Sequence, residues 1–331
     1  MVMPIRYIDG FDWCDQTHEL IWYTSGAWGA PVAGRHGVGQ AIDGDFSKAL
    51  LGGPYEYASA GIAFKPTGFG TSVLRFRANS VTVVNLVFDS SGFLRVEGAG
   101  GATLSTYSGF QANLNVWYHF GLAARCHDTL GAVRVWVNGN LIPELSSNNV
   151  DTNSGVNTFS EFQVSALAKV DDLWLCYDNS ISGSLDDEFH GDLIVRELFP
   201  TSDGEHNQWT ALNGGSKYVE VDEIGPDDDT TYIHDGTAGN RQCFGFGTLP
   251  SDIASIKAVQ LCSVNRYVTT GPHSIRNYVR EVGTANHDSA AQALTTQHVG
   301  YPDLLANDPV TGAPWTKSGF EARQYGIKDE S

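Results

Sequence analysis

The stretch Asn115–Ile142, NVWYHFGLAARCHDTLGAVRVWVNGNLI, decides the fold, because it reads as two strands and a tight hairpin. From Val116, the residues Val116, Tyr118, Phe120, Leu122 and Ala124 share one face while Trp117, His119 and Gly121 take the other, the two-residue period of a pleated strand. A second strand, Val133–Val137, follows the polar His127-Asp128-Thr129 and ends at Asn138-Gly139. That pair tolerates positive φ at both central positions of a type I′ turn, so a two-residue hairpin is expected there, with a return strand from Asn140.

Outward from this hairpin the same alternation continues. The chain has 37 glycines, and short apolar runs alternate with Gly/Asn/Asp/Ser clusters with almost no helical period. Ala60–Phe64, Val73–Phe76, Val81–Phe88 and Phe93–Val96 are expected strands, the last two joined by a hairpin loop at Asp89-Ser-Ser-Gly92. Phe159–Ala166, Val170–Tyr177 and Gly191–Leu198 extend the set, and Asp178–Glu188 reads as a long exposed loop. The apolar pattern breaks at Pro200–Asn207. Two domains are therefore expected, residues 1–199 and a smaller β-sandwich at 200–331. In the second, strands are expected at Lys217–Val221, Thr231–His234, Gln242–Phe246, Ile256–Val264, Ser274–Val282 and near Glu321–Ile327, and Ser289–Thr296 is read as strand rather than helix. No fixed-period repeat is present.

Composition excludes several classes. Twenty basic against 38 acidic residues give a formal charge of −18, which argues against binding a nucleic-acid backbone or an anionic membrane. No apolar run approaches the roughly 20 residues of a membrane span, and the start, Met1 to Tyr7, lacks a basic region followed by an apolar signal core; synthesis in the cytoplasm without conventional export is expected. Cys14, Cys126, Cys176, Cys243 and Cys262 are scattered and odd in number, and are read as buried free thiols, with no zinc-site spacing.

The order of tryptophan and histidine in one strand and a Val-Asn-Gly turn after the next resembles the laminin-G-like and concanavalin-A-like jelly rolls, over roughly Ile5–Leu198. A second resemblance lies in Leu198-Phe-Pro-Thr-Ser-Asp-Gly204 leading to Trp209-Thr210, in Tyr218–Asp222, in Asp229-Thr-Thr-Tyr232, and in Asp308–Thr316 before Tyr325-Gly326. These segments are similar to tailed-bacteriophage virion structural proteins that pair a laminin-G-like sandwich with a C-terminal β domain. The resemblance implies a virion component made in the host cytoplasm.

Because concanavalin-A-like folds include glycan hydrolases, a carboxylate pair is the first chemistry to seek; a retaining pair stands about 5–5.5 Å apart. The nearest match to Glu-x-Asp-x-x-Glu is Glu220-Val-Asp222-Glu223, but Gly225 occupies the place of the second glutamate and the tract lies outside the first domain. It reads as a solvated acidic strand end running into Asp227-Asp228-Asp229. Calcium, which takes carboxylate and carbonyl oxygens, has three candidate loops: Asp43-Gly-Asp45, Asp186-Asp187-Glu188 and Asp227-Asp228-Asp229. Asp186-Asp187-Glu188 is the first choice among them, although plain solvated charge is the expected state of each. His119 is read as a packing residue. No nucleophile elbow or phosphate loop is present. Trp22, Tyr23, Trp28, Tyr55 and Tyr57 lie in loop-rich sequence, where exposed rings stack on sugars or seal interfaces while others pack in the core.

The expectation is thus a non-enzymatic virion protein with no catalytic, cofactor-binding or metal residues assigned. It is expected at the tail tip or in a fibre, self-associated in a symmetric assembly with other virion proteins, and in contact with host glycan. The alternatives are a capsid decoration protein or head fibre, and then a polysaccharide-degrading enzyme.

Overall fold

The computed structural model describes residues 3–11, 23, 25–28, 31–36, 40–153, 155, 157–164, 167–269 and 273–330. Cys14 and Trp22, and the side chain of Trp28, lie outside the described residues. The chain falls into two compact units, Met1–Glu197 and Leu198–Ser331.

In the first unit fifteen strands form one continuous sheet that folds over on itself. Along its main path the order is Asn140–Leu141, Gly131–Val137, Tyr118–Arg125, Tyr57–Pro66, Ala168–Asp178, Gln40–Ala49, Glu161–Val164, Ser72–Ala78, Val81–Phe88, Phe93–Glu97 and Thr103–Gln111. All paired strands run antiparallel. The turning point is Gln40–Ala49. Its Ile42 and Asp43 pair with Val170 and Lys169, whereas Phe46–Ala49 pair with Val164–Glu161, and Gly44 at φ 154° separates the two halves.

Folding over brings apolar faces together, as in the concanavalin-A-like jelly-roll sandwiches. Phe120 and Phe64 from one layer meet Phe88 from the other at ring separations of 5.6 and 6.2 Å. Their strand partners Leu122, Ile62, Val84, Leu86, Phe76 and Phe162 are wholly buried between the layers, and burial of this kind is the main stabilising term. The hairpin at Asn138-Gly139 has φ of 48° and 82° with Val137 opposite Asn140, the expected two-residue turn.

Other expectations need correcting. Asp178–Glu188 is not an exposed loop throughout: Leu185–Asp187 is a 3-10 turn capped by Ser184, and Leu185 and Glu188 are buried. Gly191–Leu198 is not a strand, because it lies across a sheet face instead of pairing at an edge. The strands Gln40–Ala49 and Thr103–Gln111 were not anticipated; polar residues interrupt their alternation.

The second unit has a six-stranded sheet whose main path is Ser202–Asn207, Arg241–Gly245, Arg323–Asp329, Ser274–Glu281 and Asn286–Asp288. A ribbon of Val259–Asn265 and Val299–Leu305 lays Val259, Leu261 and Leu305 on a core of Val279, Tyr325, Trp315, Phe320 and Leu249. Pro200–Asn207, read as a break, is largely a strand, and Lys217–Val221, read as a strand, is a 3-10 turn over Lys217–Glu220. Cys126, Cys176 and Cys243 are buried free thiols, but Cys262 is exposed: alternation turns it away from the face that carries Leu261.

Candidate functional site

The site grows from a two-residue period that places polar side chains on the outer face of an otherwise apolar layer. In Ser72–Ala78 the core takes Leu74 and Phe76 and the outside takes Arg75 and Arg77. In Val81–Phe88 the core takes Val84, Leu86 and Phe88, leaving Asn85 outward. Strand register then lines these groups up. Ser47 stands opposite Gln163, Gln163 opposite Arg75, Arg75 opposite Asn85, and Asn85 opposite Glu97. At about 4.8 Å per strand this row runs roughly 19 Å across the sheet. Glu161 and Arg77 stand opposite each other beside it, and Arg95 pairs with Val87 on its other side.

Part of the row is internally satisfied. Arg77 donates to Glu161 Oε1 at 2.9 Å and also to the Ser80 carbonyl. Arg95 Nε donates to Glu97 Oε1 at 2.8 Å, and Asn85 Nδ2 to Glu97 Oε2 at 3.3 Å. Four polar atoms withdrawn from solvent have no partner here: Arg75 Nε, Arg77 Nε, Asn85 Oδ1 and Gln163 Oε1. Asn85 is only 8% exposed. Buried polar atoms normally find partners, and each one left without costs about 1–3 kcal/mol. Arg75 carries no ion pair or hydrogen bond of its guanidinium to any described residue. Burial, and then repulsion from Arg77, pull its pKa below the usual arginine value, against the weaker fields of Asp45 and Glu161.

The outer face of the opposite layer is closed. Phe189 stacks on Trp136 at 4.9 Å and lies 5.8 Å from both Trp174 and His119. Gly121 leaves the room for it: a Cβ there would come within 2.6 Å of the Phe189 ring. Trp174 Nε1 donates to the Gly191 carbonyl at 3.2 Å, Ser59 Oγ to the Glu188 carbonyl, and Val195 N to Asp172 Oδ1. His119 is wholly buried under this cover with neither ring nitrogen bonded, and burial lowers its pKa to about 4. Beside the cover is an open groove of about 420 Å³ lined by Tyr57, Arg125, Leu130, Arg134 and Asn148. Its arginines are already engaged, Arg125 with Glu56 at 2.6 Å and Arg134 with Asp186.

The residues singled out from sequence are dispersed. Asp186 pairs with Arg134, Asp187 accepts from the Ser184 backbone in a capping box, and Glu188 accepts from the Met3 backbone, so these carboxylates diverge. Asp227 bonds Thr231, Asp228 faces His298, and Asp229 faces Arg266. No group of three metal-ligating side chains occurs among the described residues. Glu220 is buried and accepts from Asn213 at 2.9 Å, while burial, followed by Asp227, Asp222 and Glu220, raises Glu223 to about 7. Tyr23 is buried with its hydroxyl on Asp9, Tyr55 bonds the Leu51 carbonyl, and Tyr57 lies under Arg125. Arg75, Asn85 and Gln163 were missed. The available signal was an arginine and an asparagine set inside runs as apolar as Ser-Val-Leu-Arg-Phe and Val-Thr-Val-Val-Asn-Leu-Val-Phe, where β-propensity disfavours asparagine.

No family model matches the sequence, and no curated protein matches it. Solved structures do. Domain 4 of an extracellular arabinanase from Geobacillus stearothermophilus, in complex with arabinotriose, aligns over 57% of this chain and 99% of that one, with 14% identity and a TM-score of 0.41. A sialidase from Trypanosoma rangeli in complex with sialic acid aligns over 46% of this chain with 12% identity and a TM-score of 0.33, and the chain spans 27% of its length. The galectin LEC-6 of Caenorhabditis elegans aligns over 40% of this chain and 89% of that one, with 14% identity and a TM-score of 0.29.

Proposed function

We propose that the first unit binds carbohydrate on the outer row Ser47–Gln163–Arg75–Asn85–Glu97, and that the chain is a non-enzymatic bacteriophage virion protein at the tail tip or in a fibre. One observation carries the binding claim: on this outer face Arg75, between Gln163 and Asn85, keeps a partly exposed guanidinium with no ion pair or hydrogen bond to a described residue. A sugar presents hydroxyl oxygens that accept at short intervals, which is what the terminal N–H groups of that guanidinium would take. Glycan-binding neighbours of similar fold accord with this reading. The virion part rests on the sequence resemblance across both units.

A glycan array probed with the wild type and with Asn85→Ala/Gln163→Ala tests the binding claim. The double variant, which removes the two side chains that flank Arg75 across the strands, should lose about tenfold or more in affinity. Unchanged binding would remove the row from consideration. Locating the chain in a whole-particle reconstruction tests the virion placement, with the head surface as the competing position.

A polysaccharide-degrading activity is the second reading, favoured by Glu223 alone, whose raised pKa suits a general acid. Reducing-sugar release that disappears in Glu223→Gln would establish it. We expect no release from either protein.

A further inference from the structure

Within the row, Arg75 differs from its neighbours. Arg77 and Arg95 each face a glutamate, at 2.9 and 2.7 Å, and those two glutamates, Glu161 and Glu97, are thereby engaged. Arg75, between Gln163 and Asn85, faces two amides whose carbonyl oxygens are both unbonded, and it has no carboxylate within ion-pair distance among the described residues. A guanidinium is always charged and offers a planar fork of N–H donors that fits a carboxylate in two parallel bonds. In Arg75 only Nε is withdrawn from solvent, so the terminal nitrogens of the fork are open to a carboxylate.

We infer that the ligand is an acidic polysaccharide, with the carboxylate of one sugar ring bound by the terminal nitrogens of the Arg75 guanidinium. The inference rests on the carbohydrate-binding reading above and names its substrate class. The overall charge of −18 does not oppose it. Charges further away than the Debye length, about 8 Å at physiological ionic strength, are largely screened, whereas a direct partly buried contact is not.

The test measures binding of polygalacturonate, its methyl ester, neutral dextran and dextran sulfate by isothermal calorimetry. Polygalacturonate should bind most tightly, and esterification, which removes the charge and keeps the ring, should weaken binding by about tenfold or more, as for a lost charge-assisted bond. Arg75→Gln should abolish the difference between acid and ester. Arg75→Lys should recover only part of it, because an ammonium keeps the charge without the fork. Far-UV circular dichroism and a melting curve show that each variant is folded.

Tighter binding of dextran sulfate than of polygalacturonate would overturn the carboxylate assignment. Ester and acid binding equally, with loss in Asn85→Ala/Gln163→Ala, would overturn the role of Arg75 and leave carbohydrate binding standing. Binding of no polymer, alongside a blank glycan array, would overturn both.

Discussion

The two outer faces of the sandwich answer the same problem in opposite ways. Each layer buries its inner side chains against the other, and each is left with an outer surface. On the layer of Tyr118–Arg125 the outer positions are Gly121, Trp136 and Trp174 with His119, and the chain closes over them with Phe189, His190 and Gly191. On the layer of Val81–Phe88 the outer positions are Arg75, Asn85, Glu97 and Gln163, and no chain segment bonds the unpartnered atoms of Arg75, Asn85 and Gln163. Both faces carry polar atoms without partners. The difference is that His119 is enclosed by aromatic rings, where it is held neutral, whereas Arg75 in the row keeps a partly exposed guanidinium. Identical strand geometry thus gives a closed face and an open one according to which side chains the alternation turns outward.

Substitutions should separate the two faces, with effects that diminish from the closed face to the open one. Trp174→Ala, at a wholly buried position beneath the cover, should destabilise the first unit by about 3–5 kcal/mol in chemical denaturation. A loss below about 1 kcal/mol would mean that the cover is not part of the folded core.

His119 should make the closed face acid-sensitive. Its folded pKa of about 4 lies below the ordinary 6.5, so the folded state binds fewer protons between these values and stability falls as pH drops from 6.5 towards 4, by up to about 3 kcal/mol. Asp172, raised from 3.8 to about 6 mainly by burial, works in the opposite direction, the desolvation cost of its charge being relieved as pH falls from 6 towards 3.8. The difference between wild type and His119→Phe, followed against pH, isolates the histidine. A difference that stays flat from pH 7 to 4 would contradict the assignment.

Gly121→Ala should cost about 1–3 kcal/mol, because its Cβ would meet the Phe189 ring. Arg75→Met on the open face, which removes a buried Nε without a partner, should not lower stability. Equal costs at the two positions would erase the distinction between the faces.

The inner face of the sandwich was far more legible in the sequence than either outer face. Period-two alternation around Asn138-Gly139 was enough to define the hairpin and to put Phe120 and Leu122 in the core, because register and turn chemistry act locally. The cover was not legible: Phe189 follows a run of Ser, Gly and Asp, and its seat depends on Gly121 across the fold, while Trp174 occupies the space a Cβ at Gly61 would need. The open row was hidden for a related reason. Arg75, Asn85 and Gln163 are separated by more than seventy positions along the chain from first to last and become neighbours only through strand pairing. Charged clusters contiguous in sequence, such as Asp186-Asp187-Glu188, attracted attention instead, and successive side chains there point to different partners.

The most direct test is a structure of the chain with an oligosaccharide selected on the array. Sugar density is expected along the row from Ser47 to Glu97, with sugar oxygens within about 3.2 Å of the terminal guanidinium nitrogens of Arg75. Density in the groove beside Tyr57 and Arg134, with the row empty, would contradict it.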